Sequence, residues 1–374
     1  NHEDGIHTSD GLVIASGTLE VNAANTGIKG KDYVDILGGT INVTAQQDGI
    51  KSTNDSDEGQ GWTRLSNGTV TVNAGDDGFK ASRVVEISGG SLTVEQSDEG
   101  IEAQYINVSG GDVNVTSADD GMNASLKTSN SESTDSSANT SDVANQQQGS
   151  LPGGQQNGAS NQQQQGTGQP QPPAMSGTSQ DGTSQNGTTG TDQQGMGQPP
   201  QGGMPGGGGG TFEVVDAAIN VSGGHVTVNA EGDGIDSNGV TTLSGGTLIV
   251  NGPSQGGNAA LDTNGDLLLN GATVLSGSTA DMFEAPSTNS TSGYLKLTNS
   301  SGFEQGSTVQ VADSSGKVVA NYKVTKSNVQ LVLVSSSSIV KGQSYTVYTT
   351  TSAVDSNAAS LASGATELGS FTAS

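Results

Sequence analysis

Asp76-Asp77-Gly78-Phe79 opens the stretch that decides the fold, followed by Val85-Glu86-Ile87-Ser88-Gly89-Gly90-Ser91-Leu92-Thr93-Val94. Asp98-Glu99-Gly100-Ile101, Ile106-Asn107-Val108-Ser109-Gly110-Gly111-Asp112-Val113-Asn114-Val115 and Asp119-Asp120-Gly121-Met122 then repeat the theme. A short apolar strand, a Gly-Gly pair, a second strand and an acidic pair before glycine recur about every 22 residues. A fixed period in the twenties is the signature of a solenoid.

Anchored on Gly17, Gly39, Gly68, Gly90, Gly111, Gly224, Gly246 and Gly271, the apolar positions fall into columns. Two and four residues after the anchors stand Leu19/Val21, Ile41/Val43, Val70/Val72, Leu92/Val94, Val113/Val115, Val226/Val228, Leu248/Val250 and Thr273/Leu275. Three before stand Ile14, Ile36, Leu65, Ile87, Val108, Val221, Leu243 and Leu268. Spacing by two is the β period with one buried face. A unit this short cannot bury its apolar face alone, so each strand must pair with its counterpart one turn up. The expectation is an all-β, right-handed parallel β-helix of about eight coils, on the order of 40 Å long.

Coils are expected over 1–126 and 211–290. Between them, 127–210 is rich in Ser, Gln, Gly and Pro and has no aromatic residue, a composition expected to stay disordered. As a spacer, a glycan-bearing loop or a neutral insertion, it must return the chain to the coil it left. From 291 to 374 the period fades into alternating strands, with a turn at Asp313-Ser314-Ser315-Gly316-Lys317. A small antiparallel unit there would cover the exposed end of the solenoid.

The net charge of −26 argues against nucleic acid or anionic membrane as partners. There is no cysteine, hence no disulfide framework or thiolate metal site. No apolar run is long enough to insert in a membrane as a helix. The chain opens part-way through a coil, as expected of a fragment of a longer precursor.

The acids are in register. Nine residues past successive anchors lie Asp48, Asp77, Glu99, Asp120 and Asp233, and one position earlier lie Asp76, Asp98 and Asp119. Stacked carboxylates ~4.8 Å apart repel by about 3.5 kcal/mol per pair at an effective dielectric of roughly 20. Ca2+, which takes six to eight oxygen ligands, would compensate them. Asp-Gly also makes the corner turn, a role that does not need two acids. A neighbouring column holds Glu102, Asn123, Asp236 and Asp262, the last two in matching oxygen-rich turns, as ligands or turn formers.

Earlier in that column stand Lys29, Lys51 and Lys80, either salt-bridged to the acids or available to carboxylates of a polyuronate. Tyr33, Trp62 and Tyr105, six residues before their anchors, form an outward aromatic stripe that would stack on sugar rings or pad a corner.

The repeated Ile87-Ser88-Gly89-Gly90-Ser91-Leu92-Thr93-Val94, with Asp76-Asp77-Gly78-Phe79 and Asp233-Gly234-Ile235-Asp236-Ser237-Asn238-Gly239, resembles a known family. It is similar to the calcium-binding, carbohydrate-binding β-helix proteins of bacterial surfaces, whose fold is like that of pectate lyases. The resemblance implies an extracellular or cell-surface, calcium-loaded, non-catalytic binder of plant polysaccharide, acidic pectin-type chains first. We expect a monomer. A polyuronate lyase, with Arg64, Arg83, Lys51 or Lys80 as base, and a calcium-stiffened adhesin or spacer are the rival functions.

Overall fold

The computed structural model describes residues 3–126 and 213–374, and these fall in one compact unit. The 127–210 insertion lies outside the described residues. Among them there is no helix, only strands, turns and loops.

Each coil contributes three strands. The first wall is an eight-stranded parallel sheet of three-residue strands: Ile6–Thr8, Ile28–Gly30, Ile50–Ser52, Phe79–Ala81, Ile101–Ala103, Met122–Ala124, Ile235–Ser237 and Leu261–Thr263. The second wall begins with Gly11–Ile14, Tyr33–Ile36, Trp62–Leu65, Val84–Ile87 and Tyr105–Val108. The third begins with Thr18–Ala23, Thr40–Ala45, Thr69–Asn73, Ser91–Gln96 and Asp112–Ser117. In the later coils Ala218–Ala230 and Val240–Asn251 run unbroken through both of these walls. Pairing is parallel throughout, and the same column meets itself at every step: Ile41 with Val70, Val70 with Leu92, Leu92 with Val113.

Why these residues coil this way is visible at two kinds of glycine. The anchors Gly17, Gly39, Gly68, Gly90, Gly111, Gly224 and Gly246 have φ between 75° and 106°, a conformation that costs a side-chain-bearing residue energy. The glycines behind the acids answer a different demand. A Cβ on Gly49, Gly78, Gly100, Gly121 or Gly234 would fall 2.1–2.6 Å from a valine γ-carbon of the following coil. Close packing excludes any larger residue there.

The inward columns form one continuous core from Val21 to Val274, with Ile28, Ile41, Phe79, Ile101, Val113 and Ile235 fully buried. The chain re-enters after the insertion in register: Tyr105–Val108 and Asp112–Ser117 both pair with Ala218–Ala230, and Met122 with Ile235.

The last coil departs from the anchor-based reading. Leu248 pairs with Val274 and Leu243 with Leu269, an offset of 26 residues, whereas Gly246 and Gly271 are 25 apart. Every position read from Gly271 is therefore displaced by one. Leu267, Leu269 and Val274 face the solenoid core, Leu268 is half-buried outside it, and Leu275 packs into a second core. The physical reason is that Leu267-Leu268-Leu269 has no polar residue to mark the outward phase.

The antiparallel C-terminal unit is present. Val329–Ser335 pairs antiparallel with the last-coil strand Thr273–Ser278 and with Tyr294–Phe303, placing Leu331 and Leu333 on the solenoid core. A four-stranded sheet of Val318–Lys323, Thr308–Ala312, Ser344–Thr350 and Thr366–Thr372 completes it. Between its first two strands in sequence, Asp313 Oδ1 accepts the backbone N–H of Ser315 at 2.9 Å and of Lys317 at 3.1 Å. Tyr322, buried, donates its hydroxyl to Asn251 Oδ1 at 3.1 Å and ties the unit to the coils.

Candidate functional site

Two columns run side by side along the first wall. The middle residue of each three-residue strand faces outward, giving His7, Lys29, Lys51, Lys80, Glu102, Asn123, Asp236 and Asp262. Three residues earlier on each coil stand Asp4, Thr26, Asp48, Asp77, Glu99, Asp120, Asp233 and Ala259. Their carbonyls accept hydrogen bonds from the glycine N–H of the preceding coil, as in Gly49 to Asp77 at 2.8 Å and Gly121 to Asp233 at 2.9 Å. Backbone bonds thus hold the carboxylates stacked, whatever their side chains prefer.

The two members of each acidic pair have different surroundings. Asp48 and Asp77 are each only 3% exposed, and Glu99, Asp120 and Asp233 are half-buried. Their preceding neighbours Asp98 and Asp119 are exposed, and Asp76 is intermediate. The structure therefore turns one acid of each pair toward the neighbouring column and leaves the other toward solvent.

Charge divides the ladder in two. In the early coils lysine answers the acids: Lys51 Nζ lies 2.5 Å from Asp48 Oδ2, and Lys80 contacts Asp77, with Glu102 Oε2 at 2.5 Å and Asp48 Oδ1 at 3.9 Å. His7 pairs with Asp4 at 3.0 Å in the same i, i+3 relation. Lys29 stands in a coil with Thr26 where the coils of His7, Lys51 and Lys80 have an acid, and no ion pair is found for it among the described residues. The contacts with Asp77, Glu102 and Asp48 outweigh burial and hold the Lys80 ammonium pKa above its ordinary range. Burial, then repulsion from Glu102, raises Asp77 well above the usual carboxyl range.

In the later coils the lysine is gone. Asp119, Asp120, Asp233, Asp236, Asp262 and Glu284 gather there, and none has an ion pair among the described residues. Gly232 takes the place of the first acid in its coil, and a Cβ there would sit 2.3 Å from Asp119 Oδ1 and 2.5 Å from Asp120 Oδ1. The missing side chain is what lets both carboxylates lean over that coil. Burial, then repulsion from Asp119, Asp236 and Asp233, pushes Asp120 up to about 8. Burial, then Asp233, Asp262 and Asp119, raises Asp236 to about 7, and burial is also the main cause that brings Asp233 to about 6. Glu284 is raised to about 8 by burial and by Asp262. The buried oxygens Asn123 Oδ1 and Glu284 Oε2 accept no hydrogen bond from the described residues.

Glu284 carries no signal in the sequence, since it follows the last repeat and reaches Asp262 only through packing. Glu102 and Asn123 are legible from the column count; that the later-coil acids have no ion pair among the described residues is not.

The aromatic stripe is ordered as a stack. Tyr33 and Trp62 lie on adjacent coils with centroids 4.5 Å apart and planes 3° from parallel. A Cβ on Gly11, the residue one coil below Tyr33, would fall 2.0 Å from the tyrosine ring, so that ring covers bare backbone. Arg64 lies over Trp62 at 5.0 Å and is held bidentately by Asp35 at 2.9 and 2.6 Å. The stack thus uses ring faces that a sugar would need. Tyr105 stands two coils beyond, separated by Val84, and Gln104 Nε2 donates to its hydroxyl at 3.2 Å.

Residues 1–149 match a family model described as carbohydrate-binding domain-containing protein. No curated protein and no solved structure matched the chain. The match suggests carbohydrate as the partner and binding rather than catalysis as the role.

Proposed function

We propose that this chain is a non-catalytic, calcium-dependent polysaccharide-binding protein of the bacterial cell surface, acting as a monomer on acidic, pectin-type chains. The observation behind the calcium is the electrostatic crowding of Asp119, Asp120, Asp233, Asp236, Asp262 and Glu284, none of which has an ion pair among the described residues. Carboxylates that raise one another in this way are relieved by a proton or by a cation. The donor set is all oxygen, which suits a hard divalent ion of flexible coordination, and the unpaired Asn123 and Glu284 oxygens fit the same role. Bound there, calcium would supply positive charge with coordination positions open to a uronate carboxylate. The protein's part is to fix the carboxylates on one wall at the ~4.8 Å coil step, so that affinity accumulates along a chain rather than in one pocket.

The four bases named for the lyase reading are all engaged among the described residues. Arg64 is engaged by Asp35, Lys51 and Lys80 are charge-paired, and Arg83 donates to the Asp57 carbonyl at 3.3 Å. A strong base for β-elimination must be able to give up its proton, and ion pairs with carboxylates oppose that.

Metal content by elemental analysis, with binding to polygalacturonate and to a neutral glucan in calcium and in chelator, tests the proposal. Calcium in the purified chain and chelator-sensitive retention of polygalacturonate are expected. A metal-free protein with the same retention in chelator would overturn the calcium dependence, and retention of neither glycan would overturn the ligand.

A further inference from the structure

The early half of the ladder poses a separate question: what the lysines do there. One carboxylate oxygen each from Asp48, Asp76 and Asp77 lie within 4.8 Å of one another, as do one each from Asp77, Glu99 and Glu102. Asp48, Asp77 and Glu102 are each 3% exposed, and Asp48 Oδ1 is buried with no hydrogen bond. Burying three carboxylates in one patch is costly unless a cation lies among them. The Lys80 ammonium is that cation, contacting Asp77 and Glu102 and reaching toward Asp48, while Lys51 takes the other oxygen of Asp48.

We propose that Lys80, with Lys51, is a built-in counter-cation filling a latent divalent-cation site formed by Asp48, Asp76, Asp77, Glu99 and Glu102. The two triplets of oxygens share Asp77, and the tethered ammonium lies against Asp77 and Glu102 where a hard ion would sit, at no cost in ion concentration. Early coils are thereby held together whatever the cation supply. The inference concerns these coils alone and stands whether or not the later coils bind calcium.

Replacing Lys80 removes the plug and keeps the ligands. In Lys80→Met the stem volume is retained, so the full-length variant should bind at least one calcium ion more than the parent, measured by calorimetry and elemental analysis. Hydrogen exchange of Ile50–Ser52, Phe79–Ala81 and Ile101–Ala103 should be indifferent to chelator in the parent and accelerated by it in the variant. Lys51→Met, which leaves Lys80 in place, guards against a variant that does not fold, and should show a weaker form of the same gain.

The proposal is overturned if neither variant binds more calcium than the parent, or if both stay equally protected in chelator. Chelator-sensitive exchange of these strands in the parent would also overturn it, because the site would then already hold an ion. A parent without calcium beside a Lys80→Met variant with it would support this inference and remove the calcium reading of the later coils, so the two fail separately.

Discussion

Asp236 shows how one residue can be stabilising or destabilising according to what shares its site. Without a cation its carboxylate faces Asp233, Asp262 and Asp119, and its ionisation is opposed by all three. Asp236→Asn keeps the shape and removes the charge. In chelator the variant should therefore melt higher than the parent, by on the order of 1 kcal/mol for a partly solvated group at an effective dielectric near 20. In saturating calcium the order should invert, since a ligand has been lost and metal-linked stability falls with affinity. Paired thermal melts of parent and variant read both signs. A variant less stable than the parent in both conditions would show that Asp236 is a turn former only. The same reasoning explains what the sequence conveyed about the site. Stacking of Asp77, Glu99 and Asp120 is legible because each precedes a glycine at a fixed offset. That Lys80 reaches two coils, and that Glu284 arrives from beyond the repeat, is set by side-chain reach and packing, which no spacing encodes.

At the scale of the strand, register is legible where polar and apolar residues alternate and lost where they do not. Seven anchors predicted their inward columns correctly; six of them precede strands such as Leu92-Thr93-Val94, with a polar residue between two inward ones, and Gly246 precedes Leu248-Ile249-Val250 but follows the alternating Thr241-Thr242-Leu243. The eighth coil has Leu267-Leu268-Leu269, and its nearest glycine lies one residue out of phase. The consequence is measurable. Leu275, 6% exposed, belongs to the core shared with Leu295, Val332 and Val334 rather than to the solenoid. Leu275→Ala should cost about 2–5 kcal/mol, as buried leucine truncations do. Leu268→Ala, on a half-buried outward position, should cost under about 1 kcal/mol. Denaturant melts of the two variants decide the register: equal losses would mean that Leu268 is as deeply packed as Leu275.

Taken over the whole molecule, the two halves of the ladder make stability depend on pH and calcium together. In the cation-free protein burial and mutual repulsion raise Asp120 and Glu284 to about 8, Asp236 to about 7 and Asp233 to about 6, all above the ordinary carboxyl range of ~4. Between about pH 4 and pH 8 the folded chain thus binds protons that the unfolded chain has released. Stability must then fall as pH rises through that window, by up to about 1.4 kcal/mol per pH unit for each proton retained, less where solvent screens the site. Calcium held by the same carboxylates replaces those protons, so in excess calcium the downward slope should flatten or reverse. Asp76 and Asp77 are raised as well and keep a residual slope of the same sign, because Lys80 rather than an exchangeable ion sits beside them. The raised Lys80 contributes stability that is lost only above its unfolded value near ~10.4, outside the window. Melting temperatures in chelator at pH 5, 6, 7 and 8 should accordingly decline step by step, and the same series in calcium should not. A chelated series that is flat or rising would mean that the carboxylates of the later coils are solvated in the folded protein, and that their convergence needs no cation.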